Sequence, residues 1–469
     1  MSAPGPFAGG PPAVLAEAGA PLRRSASSRA APGPRGWNLV RSVLATRRDR
    51  LGLVTRLQRE YGDLVCLRTG RRRLFLLSHP DHFHHVLVER AAGYGKGPGL
   101  LEARSLLGDG LLTGAPPAAC RDRRHLHPAF GRERLAGYCG GTVRAAAAVA
   151  ARWREAAAAG RAIDADRDMV ALALDVLGST LLGADLAGRA EAIRRDLHAV
   201  AGWAIRRMTA VLPLPATPLS PSVRRALGRL RSLAAELIDR RAAGGPDERR
   251  DDLLDLLLAP EAGLSRVQVR DHLLTFLLAG HETVAATLAW LWHLLSRHPE
   301  VEARLHQELD RILGDRRPAA ADLPRLPYTR AVVEETMRLY PPVWAIPRRA
   351  LAADALGGVP VPVGSDLLLC VYTLHRHPAF WPDPDRFDPG RFAAGGRSVR
   401  AYLPFGVGSR SCLGGRFGLQ EAMVTVAVLA RDYRLEPIAG PAVEAEPGLT
   451  LRPRRGVPLR PVVRGPAGL

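Results

Sequence analysis

The chain has 469 residues, of which 47% are hydrophobic and 24% charged, and its formal net charge is +20. This composition is typical of a globular protein and excludes disordered and fibrous chains; the length fits two or three domains or one large single-domain enzyme. Lys96 is the only lysine and the arginines are spread along most of the chain, so the charge indicates an arginine-rich usage bias, with a basic patch for an acidic partner as the alternative.

Residues 1–36 are rich in Pro, Gly, Ala and Ser and lack the apolar run of a signal peptide. We therefore predict a disordered leader over 1–36 and a single domain over 37–469. The cysteines are odd in number and widely spaced, which argues against a disulfide framework and favours a reducing cytoplasm. They are Cys66, Cys120, Cys139, Cys370 and Cys412.

The amino-terminal part of the domain predicts a small β region followed by helices. A helical pattern over 37–61 precedes two short strands, Leu64–Arg68 and Leu74–Leu77, which flank a basic turn. From 130 to 260 the pattern is nearly all helical and is broken only by Gly and Pro clusters.

The segment 265–296 predicts one long helix, opened by a capping box of Ser265 and Gln268. Its centre, 273–295, is apolar enough to suggest a membrane span. A polar interruption at 280–283 favours the other interpretation, a buried spine of a large protein.

Helices are also predicted over 299–313 and 328–340, and two prolines then begin a strand-and-loop region. A Pro-rich stretch over 377–405 has no regular pattern. It leads into Cys412, and the pattern over 413–430 is helical again.

The segment around Cys412 predicts a thiolate that binds a metal. Gly406, Gly408 and Gly414 allow a tight loop without bulky side chains, and the helix that follows places free amides and its positive end near the sulfur. Arg410 can contact an acidic group of a cofactor. A glycine-rich turn with a structural cysteine is the alternative.

Phe405-x-x-Gly408-x-Arg410-x-Cys412-x-Gly414 resembles the haem-binding loop of the cytochrome P-450 superfamily, of the bacterial soluble type. The resemblance implies a mainly α fold with a smaller β-rich region and haem b between the long central helix and the Cys412 loop. It implies a haem-thiolate monooxygenase that inserts one atom of O2 into its substrate. The implied cofactor-binding residues are Arg123, Arg348, Phe405, Gly406, Arg410, Cys412 and Gly414, with Cys412 as the metal ligand.

Three further motifs fit this family: the acid-alcohol pair Glu282 and Thr283, the Glu335 and Arg338 pair, and the segment around Arg123. Glu282 and Thr283 lie in the middle of the long helix, and by resemblance they are the catalytic residues that deliver protons. Gly280 permits a local opening of the helix beside them. Glu335 and Arg338 lie three residues apart on one helical face.

By resemblance, the Glu335–Arg338 pair locks with Arg391, although Gly390 replaces the family's acid. The resemblance also places Arg123 and Arg348 at the haem propionates. At Ala119 the family's tryptophan is missing, which puts the aromatic hydrogen bond to a propionate in doubt.

The implied partners are O2, a small lipophilic substrate such as a terpenoid, fatty acid or polyketide, and a separate ferredoxin with its reductase, because the length leaves no room for a fused reductase. No nucleic acid and no membrane span are expected. By resemblance the substrate pocket is lined by 96–112, Phe276, Ala279 and 343–346. A basic face for ferredoxin is predicted from Arg397, Arg400, Arg410 and Arg416.

Two rival functions use the same loop: a peroxide-driven or isomerising haem-thiolate enzyme, and a haem-binding sensor without catalysis. The acid-alcohol pair argues against both. The histidines at 79, 82, 84 and 85 could suggest a metal site, but an ordinary helix after Pro80 is the preferred interpretation.

Overall fold

The computed structural model describes residues 31–36, 38–39, 42, 49–208, 219–244, 250–393 and 399–465. Its α-helices are α1 (Arg50–Tyr61), α2 (Pro80–His84), α3 (Leu100–Leu107), α4 (Ala118–Leu126), α5 (Arg132–Ala158), α6 (Ala165–Val176), α7 (Ala190–Met208), α8 (Pro221–Ala243), α9 (Leu253–Leu258), α10 (Arg266–Leu295), α11 (Pro299–Leu313), α12 (Pro327–Leu339), α13 (Val371–Leu374), α14 (Gly390–Ala393) and α15 (Gly415–Asp432).

The described strands are short and form four sheets. They are β1 (Leu64–Thr69), β2 (Arg72–Leu77), β3 (Tyr94–Lys96), β4 (Ile163–Asp164), β5 (Ile346–Ala350), β6 (Asp354–Leu356), β7 (Val359–Val361), β8 (Asp366–Leu369), β9 (Tyr433–Pro437), β10 (Ala445–Pro447), β11 (Leu451–Pro453) and β12 (Pro458–Val463). The largest sheet has the order β1-β2-β8-β5-β3; β2 and β8 are parallel and the other neighbours antiparallel. The smaller sheets are β4-β12-β9, β10-β11 and β6-β7, and β4-β12-β9 packs into the same core as the helices.

Helix α10 is the centre of the helical part. The Ser265 hydroxyl accepts from the Gln268 N–H, and the Gln268 side chain accepts from the Ser265 N–H, so the predicted capping box is present. Among the described residues, α10 alone is long and apolar enough to cross a membrane, but 83% of its most apolar window is buried inside the protein. Burial on all sides explains why its sequence is apolar all round.

The predicted mainly α fold with a smaller β-rich region is confirmed. Strands β1 and β2 are present where predicted, but β1 ends one residue later and β2 begins two residues earlier than expected; α15 begins two residues later than the sequence pattern indicated. Within the described parts of the Pro-rich stretch, 377–393 and 399–405, the short helix α14 and a 3-10 turn at Val399–Ala401 are joined by turns and loops.

The structure describes only part of the amino-terminal segment for which a leader and a helix were predicted. Residues 1–30 of the predicted leader lie outside the described residues, as does most of 37–48. Residues 31–36 contact the sheet: the Cys66 N–H donates to the Pro32 carbonyl at 2.7 Å. The domain boundary between 36 and 37 stays a prediction.

Candidate active site

The loop before α15 has the tight backbone that its glycines predicted. Gly406 and Gly408 have φ values of 66° and 78°, in the left-handed region that favours glycine. A Cβ on Gly408 would lie 2.3 Å from the Leu87 carbonyl oxygen, so no larger residue fits there. The Cys412 N–H closes the loop by donating to the Phe405 carbonyl at 2.8 Å.

The side chain of Cys412 is accessible although it lies deep within the protein. Burial raises the pKa of this thiol, while the backbone N–H of Gly414 and the charge of Arg123 act in the opposite direction. A metal ion bound to the sulfur would offset the free-energy cost of burying the thiolate charge, because a thiol that coordinates a metal is deprotonated. The thiol is therefore placed to ligate a metal from inside the protein.

Three arginines near this loop lack acidic partners. Arg348 on β5 is only 7% exposed, and its Nη1 donates to the carbonyl of Pro347 at 2.9 Å. Arg410 donates to the Tyr94 carbonyl at 2.9 Å, and Arg123 donates to the Ser411 hydroxyl at 3.5 Å.

Among the described residues, none of these three arginines forms an ion pair with a carboxylate. Burial and the nearby charge of Arg410 lower the pKa of Arg348 to about 10. Buried cations are normally paired with anions. The three arginines therefore form a binding site for an anionic group, which the described residues of the chain do not provide.

The middle of α10 forms the opposite side of the site. Helix α10 is buried over most of its length, yet Ala279 is exposed and Gly280 and Thr283 are half-buried. The Phe130 ring links this helix to the cysteine loop: its centroid lies 6.4 Å from that of Phe276, and its edge is 3.5 Å from the position of a Cβ on Gly414. Next to Thr283, Val284 Cγ2 lies 3.3 Å from the position of a Cβ on Gly418 in α15, so the middle of α10 packs against the helix that follows Cys412.

The predicted local opening of α10 is absent from the structure. The helix is continuous through Gly280, where a Cβ would lie 2.9 Å from Leu177 Cδ1, so Leu177 packs closely against the helix at this glycine. The Thr283 hydroxyl donates to the Ala279 carbonyl at 3.1 Å, and the Thr287 hydroxyl to the Thr283 carbonyl at 2.9 Å.

Glu282 is buried beside Thr283, and its closest charged partner is Arg452 on β11. The Glu282 Oε1 atom lies 3.6 Å from Arg452 Nη1, while Arg452 Nη2 donates to both carboxylate oxygens of Asp166 at 2.9 Å. Glu282 Oε2 is buried without a hydrogen-bond partner. Burial raises the pKa of Glu282, and Arg452 partly offsets this.

Glu335 and Arg338 form the predicted pair and are fully buried. Arg338 donates to the two Glu335 oxygens at 2.6 and 2.8 Å. Arg391 Nε lies 3.4 Å from Glu335 Oε1, so the structure brings the third member of the predicted lock to this pair. Arg338 also donates to the carbonyls of His375, Pro384 and Arg386.

This lock fixes the Pro-rich chain that leads to the cysteine. Its carbonyl acceptors lie within the stretch between α13 and α14, which the sequence pattern left without regular structure. The next anchor is His375, whose Nε2 accepts from the Leu403 N–H at 2.9 Å, just before the loop.

Sequence reasoning assigned no role to Arg452, His375 or the contacts of Lys96. Arg452 and His375 lie outside every recognised motif, so no local signal marked them. Lys96 had one signal, its uniqueness among the basic residues.

The predicted ferredoxin face needs one correction. Arg410 points inward to the Tyr94 carbonyl and so belongs to the internal cluster. Arg400 is exposed and pairs with Asp81 at 2.7 Å, Arg416 is exposed, and Arg397 lies outside the described residues.

Two other expectations concern Phe276 and the histidines. Phe276 is buried against Phe130, so it serves mainly as core packing, while Ala279 keeps accessible surface. Pro80 begins α2 as predicted. No group of three or more His, Cys, Asp or Glu side chains suited to a metal ion occurs within the described ranges.

These features fit haem. The accessible Cys412 thiol suits the iron, the unpaired cations of Arg123, Arg348 and Arg410 suit two propionates, and the glycine loop lets a flat ring approach the sulfur. The fold and the site together define a haem-thiolate protein.

Comparisons with known proteins agree. The family model described as "Cytochrome P450" matches residues 31–457. The chain is 38% identical over 454 residues to "Cyclooctatin synthase" of Streptomyces melanosporofaciens, covering 93% of this chain and 97% of the relative. It is also 38% identical to "Cyclooctat-9-en-7-ol 5-monooxygenase" of the same organism, covering 92% of this chain and 94% of the relative.

"Pentalenene oxygenase" of Streptomyces avermitilis is 33% identical over 406 residues, covering 84% of this chain and 87% of the relative. The chain therefore belongs to the cytochrome P450 family, and it is an oxidoreductase of the monooxygenase class with a haem cofactor.

Proposed function

We propose that this enzyme inserts one atom of O2 into a terpenoid, using haem b and electrons from a separate ferredoxin and its reductase. The observation that carries the proposal is the accessible strip at Ala279, Gly280 and Thr283 in the buried middle of α10, where this helix packs against the helix that follows the accessible Cys412. A carrier or sensor needs the thiol but has no use for an alcohol on that strip with a buried acid next to it in the chain.

When bound, haem would supply oxygen activation. The chain's part is to hold it: Cys412 as the iron ligand, Arg123, Arg348 and Arg410 as propionate partners. Phe405, Gly406 and Gly414 shape the loop beside the ring, where Phe405 packs within 3.1 Å of a Cβ position on Gly415.

Glu282 and Thr283 are proposed to manage protons. The Thr283 hydroxyl is half-buried on the accessible strip and can exchange its bond to the Ala279 carbonyl for a bond to a water or to substrate oxygen. Burial raises the pKa of Glu282, which favours its protonated form, and its Oε2 has no hydrogen-bond partner, so we propose that this carboxyl group holds and passes on a proton. In this structure Glu282 faces Arg452, with 3.6 Å between Oε1 and Nη1. Rotation of the Glu282 side chain away from Arg452 is proposed to bring its carboxyl group toward Thr283, where it can donate the proton.

The terpenoid preference comes from the relatives. Their printed names include a cyclooctat-9-en-7-ol 5-monooxygenase and a pentalenene oxygenase. Ala279 on the strip is apolar, and so is the half-buried Ile346, whose Cδ1 lies 3.9 Å from the position of a Cβ on Gly406 in the cysteine loop. An apolar pocket suits a hydrocarbon skeleton. A fatty acid or polyketide would need an additional polar partner to fix its orientation.

A ferredoxin is proposed to dock on the cysteine side, where Arg124, Arg400 and Arg416 are exposed. Arg124 neighbours Arg123, which contacts the cysteine loop through Ser411, so this helix lies on the electron-accepting side. An acidic partner would be steered there by charge. All five cysteines are free, in keeping with the cytoplasm as the proposed location and secondary metabolism as the proposed setting.

The test is turnover of a panel of cyclic terpene hydrocarbons and alcohols with NADPH, ferredoxin and ferredoxin reductase under labelled O2. The proposal expects one labelled oxygen atom in the product and no turnover without the ferredoxin. Turnover supported only by peroxide, without label from O2, would establish the peroxide-driven alternative. Haem binding with no turnover of any panel member by either route would favour the sensor.

A further inference from the structure

Lys96 has an unusual set of partners for the only lysine in the chain. It lies on β3 directly opposite Arg348 of β5. Its ammonium donates to the backbone carbonyls of Leu112 at 2.6 Å, Gly114 at 2.5 Å and Leu111 at 3.4 Å. These three bonds use all the donors of an ammonium group.

The geometry of these acceptors explains why lysine stands here. Of the 66 Lys and Arg residues, the other 65 are arginine, so arginine is the ordinary cation of this chain. Three convergent carbonyls match the compact tetrahedral ammonium, whereas the planar guanidinium presents its donors in a wide fork.

The segment that Lys96 holds is also fixed from its other side by α10. The Asp271 carboxylate accepts from the Asp109 N–H at 3.0 Å. A Cβ on Gly110 would lie 2.2 Å from the Thr275 hydroxyl oxygen, so the loop backbone is in direct contact with α10. The loop 108–114 is therefore clamped between β3 and the helix that carries Glu282 and Thr283.

The clamp lies at the edge of the proposed haem site. Burial, together with the charges of Arg410 and Arg348, lowers the pKa of Lys96 to about 8. The Ala119 methyl lies 3.6 Å from the Cβ position of Gly114, so the loop covers the place where the family's aromatic residue is missing. The methyl group at 119 contributes little side-chain packing. The ammonium bonds therefore stabilise the 111–114 end of the loop, while Asp271 holds its other end at Asp109.

We propose that Lys96 is a positioning residue that holds the 111–114 backbone against the haem pocket and so sets the affinity for bulky lipophilic ligands. It acts through the loop and does not touch the substrate. This inference rests on the proposed function, since it assumes that the loop borders the pocket.

The first experiment tests the clamp alone, in the ligand-free holoenzyme. Hydrogen exchange of the amides in 108–114 is compared among the wild type, Lys96→Met, Lys96→Arg and the control Arg71→Met, which removes an exposed cation in the turn between β1 and β2. We expect exchange about tenfold faster in both Lys96 variants and unchanged in the control. Exchange in Lys96→Arg equal to that of the wild type would overturn the geometric argument.

The second experiment tests the coupling to ligands. Optical titration gives dissociation constants for imidazole, which needs little room, and for 4-phenylimidazole, which also fills the pocket. We expect the 4-phenylimidazole constant of Lys96→Arg to rise about fivefold relative to that of imidazole. An unchanged ratio beside faster exchange would refute the role in ligand affinity. Because neither experiment measures turnover, a failed monooxygenase assay would not be mistaken for a failed clamp.

Discussion

Removing the Arg338 guanidinium while keeping its charge should destabilise the protein severely. Arg338 is fully buried and makes bonds of 2.6 to 3.0 Å to the Glu335 carboxylate and to three backbone carbonyls. In Arg338→Lys the ammonium has three donors and cannot satisfy all five of these bonds. At least two buried acceptors then lose their donors.

The magnitude follows from these acceptors. A buried acceptor left unsatisfied costs about 1–3 kcal/mol, so Arg338→Lys should lose about 2–6 kcal/mol of unfolding free energy. Arg338→Leu leaves Arg391, at 3.4 Å, as the remaining close cation of Glu335 among the described residues. This variant should lose about 5 kcal/mol or more, comparable with the whole stability of many domains.

The assay is urea denaturation of the purified holoenzyme, followed by far-UV circular dichroism and haem absorbance. Arg304→Lys is the control, because Arg304 lies over the exposed side of the Tyr328 ring at 4.7 Å and is not buried. A loss below about 1 kcal/mol in Arg338→Lys would refute the reasoning, since it would show that the five bonds are replaceable.

Two other predictions concern protons. Glu282→Gln and Thr283→Val should each lower product formation per NADPH consumed by about tenfold or more, with Asp315→Asn as an exposed control; normal product yield in both variants would contradict the proposed proton route. Acid should destabilise the fold, because burial lowers the pKa of His82 and His281 to about 4 and that of His375 to about 3. These folded pKa values lie below the unfolded value of 6.5, so the stability is complete above pH 6.5 and is lost as the pH falls toward 4. Between pH 7.5 and 5.5 the loss should be about 4 kcal/mol for the three together, measured by urea denaturation at each pH. A flat stability over that interval would contradict the prediction.

Features that depend on a few neighbouring residues could be predicted from the sequence. The capping box at Ser265, the turn glycines and the position of Cys412 each depend on a few neighbouring residues, and the structure has them as expected. The Glu335–Arg338 pair followed from helical spacing. Its partners at His375, Pro384 and Arg386 did not, because a backbone carbonyl is the same group in every residue.

Long-range partners and side-chain directions were beyond the sequence. Arg410 was assigned to a propionate and to a docking face, and only the contact with the Tyr94 carbonyl places it inside. Arg452 reaches Glu282 from a short strand that the sequence pattern did not reveal. The Lys96 ammonium joins a strand to a loop through backbone carbonyl oxygens. Every residue type has this group, so the sequence does not show which carbonyls Lys96 contacts.

The central claim, that Cys412 ligates the haem iron, is tested most directly by the optical spectrum of the reduced carbon monoxide adduct. Thiolate ligation predicts the long-wavelength Soret band that is characteristic of this family, and its loss in Cys412→Ser, while Cys120→Ser, at another accessible cysteine, keeps the band. A wild-type band at the shorter wavelength of histidine ligation, or an unchanged band in Cys412→Ser, would contradict the account.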